Sequence, residues 1–236
     1  MARKVASEVT RMQRSGLLTN GILGRRARAV CVATLVGAAA FVPLSGCATD
    51  GRSDAQTEAP ETLSPAERLA LAWRLADDAE RERERGRLLE AADLYRRSVS
   101  YSGTIAAVWN NYGKTLYELG DLYNAVEAFK RAAESEPTDP RPFEHIGHIY
   151  YEIGWDEPAL DYYEKSLSIT PTHLRSLRGA VLTADRIGRV ADVDLERIRL
   201  ALLVERDDAY RSYFNRRQSQ VKERLKEERA FKNRSG

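Results

Sequence analysis

Two stretches decide the fold: WNNYGKTLYELGDLYNAVEAFKRAAESEP, residues 109–137, and FEHIGHIYYEIGWDEPALDYYEKSLSITP, residues 143–171. Laid over each other at an offset of 34, they pair Trp109 with Phe143, Tyr112 with Ile146, Gly113 with Gly147 and Leu116 with Tyr150. In the same register Gly120 meets Gly154, Ala125 meets Ala159, Phe129 meets Tyr163, Ala132 meets Ser166 and Pro137 meets Pro171. Each position has a physical reason. Small residues at 113, 125, 132, 147, 159 and 166 let two helices approach closely, and the aromatics fill the gaps between successive helices. Gly120 and Gly154 can end the first helix in a left-handed conformation. Pro137 and Pro171 stop the second. Asp121, Asp139 and Asp156 are expected N-caps.

A 34-residue helix–turn–helix period of this composition resembles the tetratricopeptide repeat (TPR). The resemblance implies an all-α fold, a TPR α-solenoid, with repeats near 72–105, 106–139 and 140–173 and a degenerate unit at 174–204. In the first unit Leu75, Ala79, Gly86, Ala91, Tyr95 and Ser98 keep the register, and LLEAADLYRRSVS fits a second helix well. The run ERERER, Glu80 to Arg85, fits a first helix poorly. The last unit keeps Leu177, Ala180, Ala184, Gly188 and Leu200. Ser64-Pro65-Ala66-Glu67 reads as a capping box with Pro at the first helical position, so the folded domain is expected over 64–204. Residues 205–236 are expected to form a charged C-terminal capping helix and tail, with Tyr210, Tyr213, Phe214, Val221 and Leu225 at near-helical spacing. Residues 211–236 hold nine Lys/Arg and three Glu. That is the composition of a solvated face, or of a contact with an acidic surface.

The other end of the chain has a different logic. Arg3, Lys4, Arg11, Arg14, Arg25, Arg26 and Arg28 precede an apolar run from Ala29 to Leu44, which ends in Leu44-Ser45-Gly46-Cys47. A basic segment and an apolar core of this kind predict a signal peptide over 1–46, with Met1 or Met12 as its start. The last four residues resemble a bacterial lipobox. The resemblance implies that the Cys47 thiol receives a diacylglyceryl group, that the chain is cut before it, and that the new amino terminus is acylated, commonly with palmitate. Two or more acyl chains anchor stably where one does not. Ala48, rather than Asp, points by the same resemblance to the outer membrane, facing the periplasm (the cell membrane in an organism with no outer membrane). Residues 48–63 lack large apolar side chains and read as a disordered tether. As a coil they would span about 20–25 Å, and extended about 50–55 Å.

Charge and cysteine content follow from this division. The whole chain carries +2, whereas after residue 46 there remain 30 basic and 34 acidic residues, net −4. Of the two cysteines, Cys31 lies in the signal and Cys47 is the lipidation site, so no disulfide framework is expected. The sequence carries no Gly-rich phosphate loop, nucleophile elbow or cysteine cluster. No enzyme activity, cofactor, small-molecule substrate or nucleic acid is expected.

The TPR resemblance implies that positions 2, 5, 6, 9, 12 and 13 of each first helix line a concave groove. In this chain they are Ala107, Asn110, Asn111, Lys114, Tyr117 and Glu118, then Arg141, Glu144, His145, His148, Tyr151 and Glu152, then Arg175, Arg178 and Arg186. The residues expected to meet a partner are Asn110, Asn111, Lys114, Tyr117, Arg141, His145, His148, Tyr151, Arg175 and Arg178. Amides can pair with an extended backbone and cations with carboxylates. The family's carboxylate clamp is only partly present. Asn111 and Arg141 sit at clamp positions, but His145 stands where Arg or Lys is usual, and Ala76 and Glu80 where Lys and Asn are. The expected partner is an envelope protein or peptide in the groove, in pilus, secretion or wall-enzyme complexes. The rival readings are a self-assembling structural lipoprotein and a metal-binding or enzyme subunit using His145 and His148. Those two histidines share a helix face, but Glu144 lies outside the pair and no third ligand is evident.

Overall fold

A computed structural model describes residues 63–235. The expected signal over 1–46, Cys47 and nearly all of the tether lie outside the described residues. Among the described residues there are nine helices and no strand. They are α1 (Pro65–Glu84), α2 (Leu88–Tyr101), α3 (Ala106–Glu118), α4 (Leu122–Ser135), α5 (Arg141–Glu152), α6 (Asp156–Ile169), α7 (Leu174–Arg186), α8 (Asp192–Val204) and α9 (Asp208–Ser235). Each helix packs on the next in the chain, and α1 also touches α3 and α5 touches α7. This is the all-α solenoid of paired helices that the period predicts.

The first turn forms as its sequence dictates. The Glu67 amide donates to the Ser64 hydroxyl at 3.3 Å, the Ser64 amide donates to the Glu67 carboxylate at 2.8 Å, and Pro65 presets the helix. Left-handed glycines then end α1, α3, α5 and α7 at Gly86, Gly120, Gly154 and Gly188, with φ of 77°, 80°, 77° and 70°. The spacing is 34 throughout, so the period runs through the worn end repeats as well as the central pair. At Gly120 the Asp121 amide donates back to the Leu116 carbonyl at 2.9 Å and the Gly120 amide to Tyr117 at 2.9 Å, which satisfies carbonyls the helix leaves open.

Three local expectations are corrected. The ERERER run is helical to Glu84, because Glu80–Arg83 and Glu82–Arg85 pair one turn apart along it. Asp121 does cap α4, accepting from the Asn124 amide at 3.2 Å. Asp156 does not cap α6: Trp155 holds that place, and the Asp156 carboxylate accepts from Arg186 Nε at 2.6 Å instead. Asp139 lies one residue before the N-cap Pro140, and its carboxylate accepts from the Arg141 amide at 2.9 Å.

The core is built on the small-against-aromatic rule. A Cβ added to Gly113 would lie 2.7 Å from the Phe129 ring, and one added to Gly147 would lie 2.9 Å from the Tyr163 ring. Phe129, Ile146, Ile149, Leu116 and Val126 form one cluster across α3, α4 and α5. A second cluster joins Leu177, Val181 and Ile198 to Phe214, Val221 and Leu225 of α9, so α9 covers the last helix pair. On the way Arg189 and Arg197 both reach Asp194 of α8 and Glu164 of α6, which compensates the buried Asp194 charge.

Candidate partner-binding groove

Along the face where the first helices of each pair line up there is a groove of about 670 Å³. Residues of α1, α3, α5 and α7 line it, with Phe129 of α4 and Tyr163 of α6 below and Tyr210 of α9 at one end. Of the ten residues expected to meet a partner, it brings together Lys114, Tyr117, His145, His148, Tyr151, Arg175 and Arg178.

The floor carries buried titratable groups. Glu144 is 6% exposed, and burial pushes its carboxyl up to about 7 despite the pull of Arg175 and Lys114. His145 Nδ1 lies 3.3 Å from Glu144 Oε2. Its ring stacks on Phe129 at 4.7 Å, and burial, with Lys114 and Arg175 nearby, pushes it down to about 3, so it is neutral near pH 7. Lys114 is half-buried and donates to Asn111 Oδ1 at 3.3 Å. Burial and the neighbouring cations Arg83, Arg141 and Arg175 hold its amine below the usual lysine range. Among the described residues neither Lys114 nor Arg175 has a carboxylate within 4.0 Å.

The wall carries aromatics. The Tyr117 hydroxyl donates to Glu152 at 2.7 Å, lies 3.4 Å from His148 Nε2, and is pushed up to about 12 by burial and by Glu152. Tyr151 lies under the Arg186 guanidinium, 3.6 Å from ring centre to carbon.

Three of the ten, Asn110, Asn111 and Arg141, do not line the groove, and Arg178 lines it with its guanidinium already taken; Asn111 is half-buried, its Oδ1 accepting from Lys114. Asn110 is 3% exposed, and its Oδ1 has no hydrogen-bond partner among the described residues; it is buried in packing and offers no surface. Arg141 is exposed but its guanidinium is held by Asp139, at 2.9 and 3.0 Å from Nε, and it does not line the groove. Arg178 lines the groove, yet its guanidinium is taken by Glu205 of the α8–α9 connection, Nε and Nη2 donating at 2.6 Å each. The sequence reading missed Tyr210, whose ring lies 4.1 Å below Arg178, and Gly179, where an added Cβ would meet Tyr163 at 2.2 Å. Gly179 follows Asn111 and His145 at the same 34-residue interval and was open to that reading. Nothing periodic marks Tyr210. Among the described residues no group of three or more His, Cys, Asp or Glu is arranged to hold a metal, and no helix is long and apolar enough to cross a membrane.

Comparison with known proteins agrees with this geometry. A TPR-repeat family model matches residues 113–154, and a tetratricopeptide-repeat model matches 141–173. Among solved structures the fold is similar to Pseudomonas aeruginosa PilF, at TM-score 0.53 and 15% identity over 68% of this chain and 71% of that one. It is also similar to YrrB, a TPR protein with an unusual peptide-binding site, at TM-score 0.52 and 16% identity over 61% and 74%. MamA matches at TM-score 0.51 and 21% identity over 56% and 71%. At these identities the likeness is one of fold. A search of curated proteins returned no significant match.

Proposed function

We propose, from the tetratricopeptide repeats this chain carries, that it is a protein-binding adaptor that receives a segment of a partner in the groove of α1, α3, α5 and α7. The observation that carries this reading is the groove itself: an open, 670 Å³ channel floored by Lys114 and flanked by Tyr117, His148, Tyr151 and Arg175. Aromatics that carry a polar tip, beside cations with no carboxylate partner among the described residues, are the composition of a recognition surface. The peptide-binding site of YrrB, on a similar fold, supports the same use of the channel. The Leu44-Ser45-Gly46-Cys47 motif extends the proposal: Cys47 is lipidated, the domain hangs on a tether from the outer membrane into the periplasm, and the adaptor serves assembly of envelope complexes.

Two arms test this. Feeding the host an alkyne-tagged palmitate should label the full chain and not Cys47→Ser. Capture from gently solubilised membranes should retain a discrete envelope protein that a Lys114→Glu/Arg175→Glu double variant loses. Labelling unchanged in Cys47→Ser would end the anchoring proposal. Capture unchanged in the double variant would end the groove proposal.

A further inference from the structure

Resting on that reading, we infer that the groove floor between Lys114 and Arg175 takes an acidic side chain of the partner segment, and that Glu144 takes up a proton as that group arrives. Recognition of the partner is thereby strengthened by mild acid.

The structure supplies its own precedent for the anion. Arg178, one turn along α7 from Arg175, is satisfied by a carboxylate of this same chain: Glu205, 2% exposed, accepts two bonds of 2.6 Å from it. The connection that delivers Glu205 also brings Tyr210 against the same guanidinium, which closes that end of the groove. Arg175 and Lys114, the next cations inward, have no such carboxylate among the described residues. A half-buried ammonium and an exposed guanidinium facing one channel attract an anion, and a peptide carboxylate fits an open channel with aromatic walls.

Glu144 couples this to protons. It lies on the floor, its carboxylate almost wholly buried, with the neutral His145 ring at 3.3 Å and no cation within 4.0 Å among the described residues. The groups around it are Lys114 from α3, His145 and His148 from α5, Tyr163 from α6 and Arg175 from α7. His145 stays neutral near pH 7, and burial keeps the Tyr163 hydroxyl protonated. The free carboxyl titrates at about 7, held there by burial. An arriving carboxylate repels the charged form and accepts a hydrogen bond from the neutral one, so binding raises that value further and draws in a proton. Affinity is therefore highest below pH 7 and falls as pH rises through it. The lowered Lys114 amine acts in the same direction at higher pH.

The experiment is fluorescence anisotropy of labelled hexaglutamate and hexalysine on the full chain in detergent, from pH 6 to pH 8. Hexaglutamate should bind at pH 6 and weaken about tenfold by pH 8, the most that one proton on a group titrating at about 7 gives over that span, and hexalysine should not bind. Arg175→Ala and Lys114→Ala, each checked for helical content, should each cost about tenfold at pH 6. Glu144→Gln should bind equally at both pH values. Failure of hexaglutamate to bind at pH 6, or Arg175→Ala and Lys114→Ala both without effect, overturns the anion site. A pH slope kept by Glu144→Gln overturns the proton coupling. If the captured envelope protein still depends on the groove while hexaglutamate neither binds nor displaces it, this inference fails and the adaptor reading stands.

Discussion

Arg178 and Glu205 form a two-bond pair, each bond 2.6 Å, that fastens the α8–α9 connection to α7. The Arg178 bonds, and then the amides of Asp207 and Arg206, hold the Glu205 carboxyl down to about 2, against an ordinary 4.5. A depressed carboxylate contributes stability above its unfolded value and loses it as pH falls through the folded one. Because Arg178 is 29% exposed, solvent screens the pair, and the contribution is about 1–2 kcal/mol. Glu205→Gln should therefore be less stable by that amount in urea at pH 7, and the gap should close towards pH 2–3. A gap of the same size at both pH values would assign the effect to packing.

Gly179 and Gly120 test two different reasons for glycine. An added Cβ at Gly179 would lie 2.2 Å from Tyr163 Cζ, inside the ring's own volume, so Gly179→Ala is an overpacking change costing about 1–3 kcal/mol. At Gly120 nothing lies within 4 Å, but φ is 80°, so Gly120→Ala pays only backbone strain, about 1 kcal/mol. Thermal melts should show Gly179→Ala rescued in part by Tyr163→Leu and Gly120→Ala not rescued by it.

Glu144 and His145 give stability two opposed limbs. The folded Glu144 value lies above the unfolded one, so its protonated form stabilises below about 4.5 and that gain is lost as pH rises through about 7. The folded His145 value lies below its unfolded one, so its neutral form stabilises above about 6.5 and that gain is lost as pH falls towards 3. Between about 4.5 and 6.5 the two nearly cancel. Glu144→Gln should remove the loss above pH 6, about 1.4 kcal/mol by pH 8. Chemical unfolding of the variant across pH 5–8 checks it, and a loss retained in full would contradict it.

Phe214 tests the end of the solenoid. It is 0% exposed and joins α9 to Leu177 and Ile198. Phe214→Ala should cost about 3–5 kcal/mol, and Phe231→Ala, on a residue 72% exposed, should cost less than 1 kcal/mol.

Periodicity made most of the fold legible, because left-handed glycines and small-to-aromatic contacts recur wherever identical helix pairs stack. Gly86 and Gly188 show that this held even where ERERER obscured the pattern. The groove was legible only in part. Asn110, Glu144 and Arg178 share one register position, yet the first two are buried and the third is partly exposed. That position lies at the seam between groove and core, and which side wins depends on the neighbouring pair. The pairing of Arg178 with Glu205, and the arrival of Tyr210, come from the connection after the last repeat, where there is no period to read. Asp156 fails as a cap for a different reason: Trp155, 34 residues after the cap Asp121, holds that position, and Asp156 is the first residue inside the helix.

The measurement that tests the adaptor reading most directly is site-specific photocrosslinking in the living host. The full chain would carry a photoreactive residue at His148, in the groove, or at Glu127, exposed on α4. A discrete protein adduct formed from His148, absent from Glu127, and lost when Arg175→Glu is added is the predicted result. An adduct from Glu127 alone, or a His148 adduct indifferent to Arg175→Glu, would contradict it.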